Sequence, residues 1–460
     1  MTSAPRFAWN RFGNGSISLC AGTLRRARRR RFDRTPFRER KNEVFAFPRV
    51  SPTFSHLEFK HHNSTHNSTI VLASLYHEGE PVTIGILGGG QLAKMSAQAA
   101  YKLGLRVAVI EPADSSPAGV MTQKEFTGGW LDSVELDRFV EASDIVTLEN
   151  EFIAPEILER IAERRLVFPT PATLRLAQDK FTQKETMQRA GIPTPAFAAI
   201  DSVEEAHEFG KRHGYPFVMK TRTLGYDGYG NATVGRDNQA MVAFRRFTSD
   251  PDVPRRVMAE EFVRFRKELA VIVARNRRGE TALYPCVETV QENHICRYVI
   301  APAPDVSEAL RARAQELARA AVEAIEGVGV FGVEMFLTEN DEIVYNEIAP
   351  RPHNSGHYTI EACCVSQFEN HIRAICNLPL GSTELIAPAA AMANLLGKRT
   401  GSGTPDTVVA MMRQTPRASL HLYGKTTSRV GRKMGHITAL GVSPQEALAL
   451  AKTAEENFFW

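Results

Sequence analysis

The amino-acid sequence predicts a mixed fold, α/β at its start and α+β beyond, and three observations carry that expectation. A strand, a glycine turn, a helix and a second strand open the patterned region at residue 82. Short apolar strands then follow one another across residues 216–300. A long amphipathic helix over 307–326 leads into a hairpin and a strand-rich tail.

The stretch "VTIGILGGGQLAKMSAQAAYKLGLRVAVIEP" reads as strand 82–87, helix 91–103 and strand 106–110, a right-handed βαβ unit. "DIVTLE" adds a buried strand, followed by a helix over 155–163. Residues 176–193 read as one helix ending at Gly191. Strands are expected at 216–221, 232–234, 257–263, 268–275, 281–288 and 295–300. "GVFGVEMFLTENDEIVYNEIAPR" is a hairpin, and the tail from about 386 holds short strands, glycine turns and a last helix at 444–456.

Of 460 residues, 43% are hydrophobic and 23% charged, enough apolar content for more than one core. The net charge of +4 is local: "LRRARRRRFDRTPFRER" at 24–40 is arginine-dense, and the rest is mildly acidic. A general nucleic-acid surface is therefore excluded. Six cysteines (Cys20, Cys286, Cys296, Cys363, Cys364, Cys376) form no CxxC pair and read as reduced thiols. No apolar run is long enough to cross a membrane. Residues 1–81 are too polar to bury a core of their own. Two readings of them stay open: a transit peptide to mitochondrion or plastid, or an extension without function on a cytoplasmic protein. The sequons at Asn63 and Asn67 would matter only after secretion.

Two glycine clusters stand out. In the first, Gly85, Gly88, Gly89 and Gly90 lack the last glycine of a dinucleotide fingerprint, although Glu111 sits where a ribose-binding acid would, about 20 residues on. A tight strand-to-helix turn and an anion site at the helix N-terminus are the other readings. In the second, "KTRTLGYDGYGN" (220–231), Lys220 ends an apolar strand beside clustered amides. A lysine and backbone N–H groups together can hold a polyphosphate; a plain hairpin turn is the alternative. Glu268, in "AEEFVRFRKELAV", is either a ribose-binding carboxylate or an exposed strand acid.

The hairpin at 329–351 is more informative. If "ND" (340–341) is a two-residue turn, Glu334 faces Glu347; with a three-residue loop it faces Asn346. Two carboxylates among apolar neighbours repel each other and resist burial, and a shared divalent cation would resolve the conflict. Oxygen ligands beside an amide suit Mg²⁺ held jointly with phosphates; an exposed acidic pair at a strand edge is the alternative. In "APRPHNSGHYT", Arg351, His353 and His357 follow at once, and an arginine there suits a planar anion.

Together "GILGGGQLAKM", "DKFTQK", "KTRTLGYDGYGN", "EEFVRFRKE", "NEIAPRPHNSGH" and "YGKTTSRVGRKMGHIT" resemble the ATP-grasp superfamily and, within it, the N5-carboxyaminoimidazole ribonucleotide synthase family. The resemblance spans about residues 82–445, in order. It implies a pre-ATP-grasp Rossmann-like α/β domain at 82–178 and a two-lobed ATP-grasp domain at 179–385, with a lid lobe near 195–265. A small β-rich C-terminal domain at 386–460 completes the fold, and 1–81 lies outside it as a disordered or targeting extension. The implied activity is ATP- and bicarbonate-dependent carboxylation of 5-aminoimidazole ribonucleotide through carboxyphosphate, with ATP and Mg²⁺, in a homodimer. By the same resemblance, Lys180 and Lys220 contact ATP phosphates, and Gly225, Tyr226, Asp227, Gly228, Gly230 and Asn231 form the lid. Glu260, Glu261, Phe262 and Val263 hold adenine, Glu268 the ribose, and His294 lies near the phosphates. Glu334 and Glu347 bind Mg²⁺ beside Asn346. The ribonucleotide falls to Gly89, Gly90, Gln91, Glu149, Tyr226, Arg351, His353, Lys425 and Arg432. Lys220, Arg351 and His353 are the expected catalytic groups.

A lid that excludes water suits this chemistry, because carboxyphosphate is short-lived in water. One departure is Tyr229, at a lid position commonly basic in the family. As it stands the chain stops at Trp460, before the mutase domain of fungal and plant members, so a bifunctional protein is not expected.

Overall fold

The computed structural model describes residues 75–459 except 78, 224, 226–229 and 250–255. The expected readings of residues 1–74, of Cys20 and of Tyr226 to Tyr229 lie outside the described residues. A short antiparallel pair, Tyr76–His77 with Glu80–Pro81, precedes residue 82, inside the stretch expected to lie outside the fold.

The first sheet is fully parallel. It contains β1 (Thr83–Leu87), β2 (Arg106–Glu111), β3 (Lys124–Thr127), β4 (Ile145–Leu148) and β5 (Leu166–Val167), in the order β3-β2-β1-β4-β5. Strands covered on both faces carry continuous apolar runs, as "TIGIL" and "VAVI" do. Helices α1 (Gln91–Lys102), α2 (Ser133–Glu141) and α3 (Pro155–Ala162) cover it. The single helix expected over 176–193 is two, α4 (Pro171–Gln178) and α5 (Lys180–Arg189). Asp179 divides them: its backbone is extended and its carboxylate accepts from Phe181 N and Thr182 N, capping α5.

The lid lobe is a four-stranded antiparallel sheet of β6 (Phe197–Ile200), β7 (Phe217–Thr221), β8 (Asn231–Val234) and β9 (Val257–Glu261), in the order β8-β7-β9-β6. Helices α6 (Val203–His213) and α7 (Ala240–Thr248) pack on it through Phe209, Phe217 and Phe247.

The largest sheet has nine strands: β10 (Phe265–Arg275), β11 (Thr281–Leu283), β12 (Val287–Glu292), β13 (Ile295–Ala301), β14 (Gly329–Thr338), β15 (Ile343–Ala349), β16 (Ala389–Leu396), β17 (Ala418–Leu422) and β18 (Lys433–Gly441). Its order is β15-β14-β10-β12-β13-β16-β18-β17, with β11 on β10. The one strand expected at 281–288 is two, separated at Pro285, which has no N–H to give to a ladder. The tail strands are not a sheet of their own, because β13 pairs with β16 and carries the ladder into the C-terminal region. Helix α8 (Glu308–Ala324) packs on the apolar face through Ala314, Ala318, Ala321 and Val322. Helix α9 (Gln367–Ile375) joins the first domain's core through Phe368, Ile372 and Ile375. The last helix, α10 (Pro444–Glu456), lies on β16 and β18 through Ala447 and Ala451.

Candidate functional site

A cleft of about 1160 Å³ runs between the three sheets. One of its ends is built on lysines. Lys180 and Lys184 lie one turn apart on α5 and share a helix face; Lys220 arrives from β7. Glu260, on the neighbouring β9, stands between two of them: Lys184 Nζ is 3.3 Å from its Oε1 and Lys220 Nζ 3.1 Å from its Oε2. The second contact is an ion pair without hydrogen-bond geometry, which leaves Glu260 Oε2 without a hydrogen-bond donor. Lys184 is 2% exposed, and burial pushes its ammonium down to about 8. Burial would raise Glu260, but the two ammonium groups win and hold it below the usual carboxylate range. The Glu260 carboxylate is thus engaged by lysines, and Glu260 lines the cleft together with Glu261, Phe262 and Val263.

The hairpin follows both registers considered above. At its tip, Leu337 pairs with Ile343 and Met335 with Tyr345, which fits a three-residue loop. A bulge at Asn346 then shifts the ladder, so that Glu334 pairs with Glu347. Residues directly opposite, and residues two apart, share a sheet face. Glu268, opposite Phe336, therefore lies on the face that carries Glu334 and Glu347, and all line the cleft. Met335 and Leu337 point the other way, into the α8 core. Burial and the charges of Glu347 and Glu268 raise Glu334. Glu347 is lowered in spite of burial because Lys180 Nζ donates to its Oε2. The side-chain oxygen of Asn346 is buried and has no partner. Among the described residues no group of three or more His, Cys, Asp or Glu could hold a metal alone.

At the middle of the cleft, Arg351 follows β15. Its Nε and Nη2 grip both oxygens of Glu151, the latter at 2.9 Å. His353 Nε2 lies 3.6 Å from Glu334 Oε1, while its Nδ1 pairs with Ser355 Oγ at 2.9 Å. Burial, with Arg351 and Lys433 nearby, drives His353 down to about 4. His357 also lines the cleft and is fully buried.

The far end joins the first domain to the C-terminal strands. Gly88 has φ +99°, and Gly89 N donates to Glu111 Oε2 at 2.7 Å. Glu111 thus holds the glycine turn, and the acid that a dinucleotide site would need for ribose is already engaged. A Cβ on Gly90 would lie 2.3 Å from Glu149 Oε1, so the glycine permits the close approach. Burial raises Glu149. Lys425 and Arg432 sit in the loop between β17 and β18. Lys425 Nζ donates to Lys433 O at 2.8 Å, and burial brings it down to about 8. Arg432 Nη1 donates to Thr427 O at 2.6 Å.

The cleft wall therefore brings together Gly89, Gly90, Gln91 and Glu149 with Lys180, Lys220, Gly225 and Asn231. Glu261, Glu268 and His294 also line it, and His294 stands in a tight turn with φ +64°. Gly230 is off the wall; its carbonyl accepts from Thr221 N at 2.8 Å and closes the base of the β7–β8 connection. Tyr226, Asp227 and Gly228 lie outside the described residues.

Three residues of the site were not singled out from the sequence. Lys184 stands in "DKFTQK" four residues after Lys180, and that spacing was the available signal. Glu151 stands two after Glu149, an alternation that a strand continuing past β4 would place on one side. Asp179 had only its position before a helix to mark it, yet it pairs with both Arg222 (2.8 Å) and Arg256 (3.0 Å) of the lid lobe.

Comparison with known proteins places this geometry. The family model of the ATP-grasp domain matches residues 185–368, that of the ribonucleotide synthetase preATP-grasp domain 82–178, and that of the phosphoribosylaminoimidazole carboxylase C-terminal domain 390–450. N5-carboxyaminoimidazole ribonucleotide synthase of Synechococcus elongatus is 39% identical over 382 residues, covering 82% of this chain and 95% of that protein. Phosphoribosylaminoimidazole carboxylase of Schizosaccharomyces pombe is 42% identical over 382 residues, 80% of this chain and 66% of its own. This chain thus spans about two thirds of that fungal relative. The solved structure of N5-carboxyaminoimidazole synthase from Aspergillus clavatus, with ADP and 5-aminoimidazole ribonucleotide, is 38% identical with a TM-score of 0.74, covering 82% of this chain and 98% of that one. The synthetase from Thermotoga maritima is 42% identical with a TM-score of 0.73, covering 82% and 99%. The chain belongs to the N5-carboxyaminoimidazole ribonucleotide synthase family of ATP-grasp ligases.

Proposed function

We propose that this protein carboxylates the amine of 5-aminoimidazole ribonucleotide, using ATP and bicarbonate, to give N5-carboxyaminoimidazole ribonucleotide in purine biosynthesis. One observation carries the reading: a single cleft has lysines and an opposed carboxylate pair at one end, and a guanidinium, a lysine and a glycine turn at the other. The first end suits a nucleoside triphosphate, and the second suits a phosphorylated ribonucleotide with a carboxyl group arriving between them.

In this reading Lys180 and Lys220 neutralise ATP phosphates, with Lys184 buried behind them on Glu260 and with Gly225 and Asn231 at the lid's ends. The link from Glu261 to Val263 holds adenine, and Glu268 the ribose. The buried, unpartnered Asn346 oxygen beside Glu334 and Glu347 fits a Mg²⁺ ion. With only two carboxylates, the set suits a cation shared with phosphates. When bound, it would offset charge on the transferring phosphoryl group.

Bicarbonate oxygen attacks the γ-phosphorus and ADP leaves, forming carboxyphosphate. The ribonucleotide amine then forms the N–C bond, phosphate departs, and the amine gives up a proton. Arg351 holds the carboxyl group. His353, neutral at pH 7 because of its burial, adds a hydrogen bond without a second cation. Glu149, Gly89, Gly90 and Gln91 position the ribonucleotide, whose phosphate meets Lys425 and Arg432.

The test is ADP release with Mg²⁺-ATP and bicarbonate, with and without the ribonucleotide. Release that requires the ribonucleotide supports the reading. ATP binding without stimulation would point to another ATP-grasp substrate. Sedimentation would test the homodimer. Among the described residues no helix is long and apolar enough to cross a membrane. A reporter fused to residues 1–81 would decide between a cytoplasmic location and an organellar one.

A further inference from the structure

Arg351 is the cation on which the proposed carboxylation depends, and its grip is one-sided. Nη2 and Nε both donate to Glu151, and Nη1 donates to Pro352 O at 3.3 Å. A guanidinium offers five N–H donors in a rigid plane. Holding it along the Nε–Nη2 edge fixes that plane and leaves hydrogens on Nη1 and Nη2 for a second acceptor. The two side chains are 17% and 20% exposed, so the pair is shielded more than a surface ion pair.

The partners also come from different parts of the chain. Glu151 follows β4 of the parallel sheet, and Arg351 follows β15 of the large sheet. Burial would raise Glu151, but the Arg351 charge and hydrogen bonds outweigh it and hold the carboxylate ionised. Glu149, two residues earlier, also faces the guanidinium electrostatically. Two acids from one segment thus surround one cation, and only Glu151 has the bidentate contact.

We propose that Glu151 is a positioning residue for the carboxylation step. It clamps one edge of Arg351 so that the other edge is presented to the bicarbonate-derived carboxyl group. Because the clamp crosses from the parallel sheet to the large sheet, the orientation of Arg351 depends on the first domain being seated. This inference rests on the proposed function and names a further residue of that site.

The test compares wild type with E151Q, which keeps the shape but loses the charge and the double acceptor. The KM for bicarbonate is expected to rise about tenfold to a hundredfold, with the KM for ATP within about twofold. An unchanged bicarbonate KM overturns the proposal. So does a lowered one, which would mean that Glu151 competes with the anion. Should E151Q not fold, E151D keeps the charge with a shorter reach and is read in the same way. Wild-type protein without ribonucleotide-dependent ADP release would instead sink the functional reading itself, so the two failures are distinguishable.

Discussion

Glu334 and Glu347 are register partners across the β14–β15 hairpin, and the bulge at Asn346 makes them so. Without the extra residue the ladder would set Glu334 against Asn346, and Glu347 would turn to the other face. Lys180, from α5, supplies the positive charge on Glu347. Glu347→Gln should therefore lower ribonucleotide-dependent ADP release about a hundredfold or more, the usual scale for losing a charge aimed at the transition state. Nucleotide affinity is measured beside it. Full turnover by the variant would remove this carboxylate from the chemistry.

Lys184 and Glu260 test the energetics of the lysine cluster. Breaking a buried pair from one side leaves an uncompensated charge, and for Lys184→Met the expected loss is about 3 kcal/mol in urea unfolding. Adding Glu260→Leu removes the stranded carboxylate and should recover part of the loss. An unchanged midpoint in the single variant would mean that Lys220 alone suffices for Glu260.

Gly90 has φ −70°, which any residue can adopt, so a substitution there acts through space alone. Its missing Cβ faces the Glu149 carboxylate. Gly90→Ala should push Glu149 aside and raise the KM for the ribonucleotide about tenfold, with the KM for ATP little changed. Equal effects on both substrates would show a general distortion instead.

His371 gives the pH dependence a sign. Its Nδ1 accepts from Val330 N at 3.1 Å and its Nε2 pairs with Thr147 Oγ1 at 2.8 Å. Burial lowers it from the ordinary 6.5 to about 4. Below pH 6.5 the unfolded chain takes a proton that the folded one refuses. Stability should therefore be intact above that pH and fall by up to about 1.4 kcal/mol per pH unit on the way down to 4. Denaturant midpoints at pH 7 and pH 5 read this out. His371→Gln should flatten the slope, and an unaltered slope would assign the proton uptake elsewhere.

Much of this site was legible because its chemistry is local in sequence. Lys220 before glycines, Arg351 and His353 after a strand, and paired acids on a hairpin are short-range patterns. The hairpin register needed more than the loop: both readings hold, at opposite ends, because a bulge cannot be seen in alternation alone. The break at Asp179 was hidden by helix formers on both sides of it. Lys184 and Glu151 look like ordinary solvated charges until their distant partners are known. Glu260 is 76 residues from Lys184, and Arg351 is 200 from Glu151. The joining of β13 to β16 is equally non-local: the tail is the C-terminal domain that the sequence led one to expect, and what the sequence could not show is that its strands extend the large sheet.

That shared ladder has a practical consequence. The acids of β14 and β15 and the basic loop before β18 hang from one continuous set of backbone hydrogen bonds, so the span between them is fixed like marks on a ruler. The lid sheet shares no ladder with that large sheet; it is tied to α5 instead, through Asp179 on Arg222 and Arg256 and through Lys184 on Glu260. Cutting the chain near residue 386 would strip a neighbour from β13 and leave a raw strand edge, ready to pair with any other chain. What a domain map draws as a detachable module is, in hydrogen-bond terms, a seam that cannot be opened without unravelling the cloth.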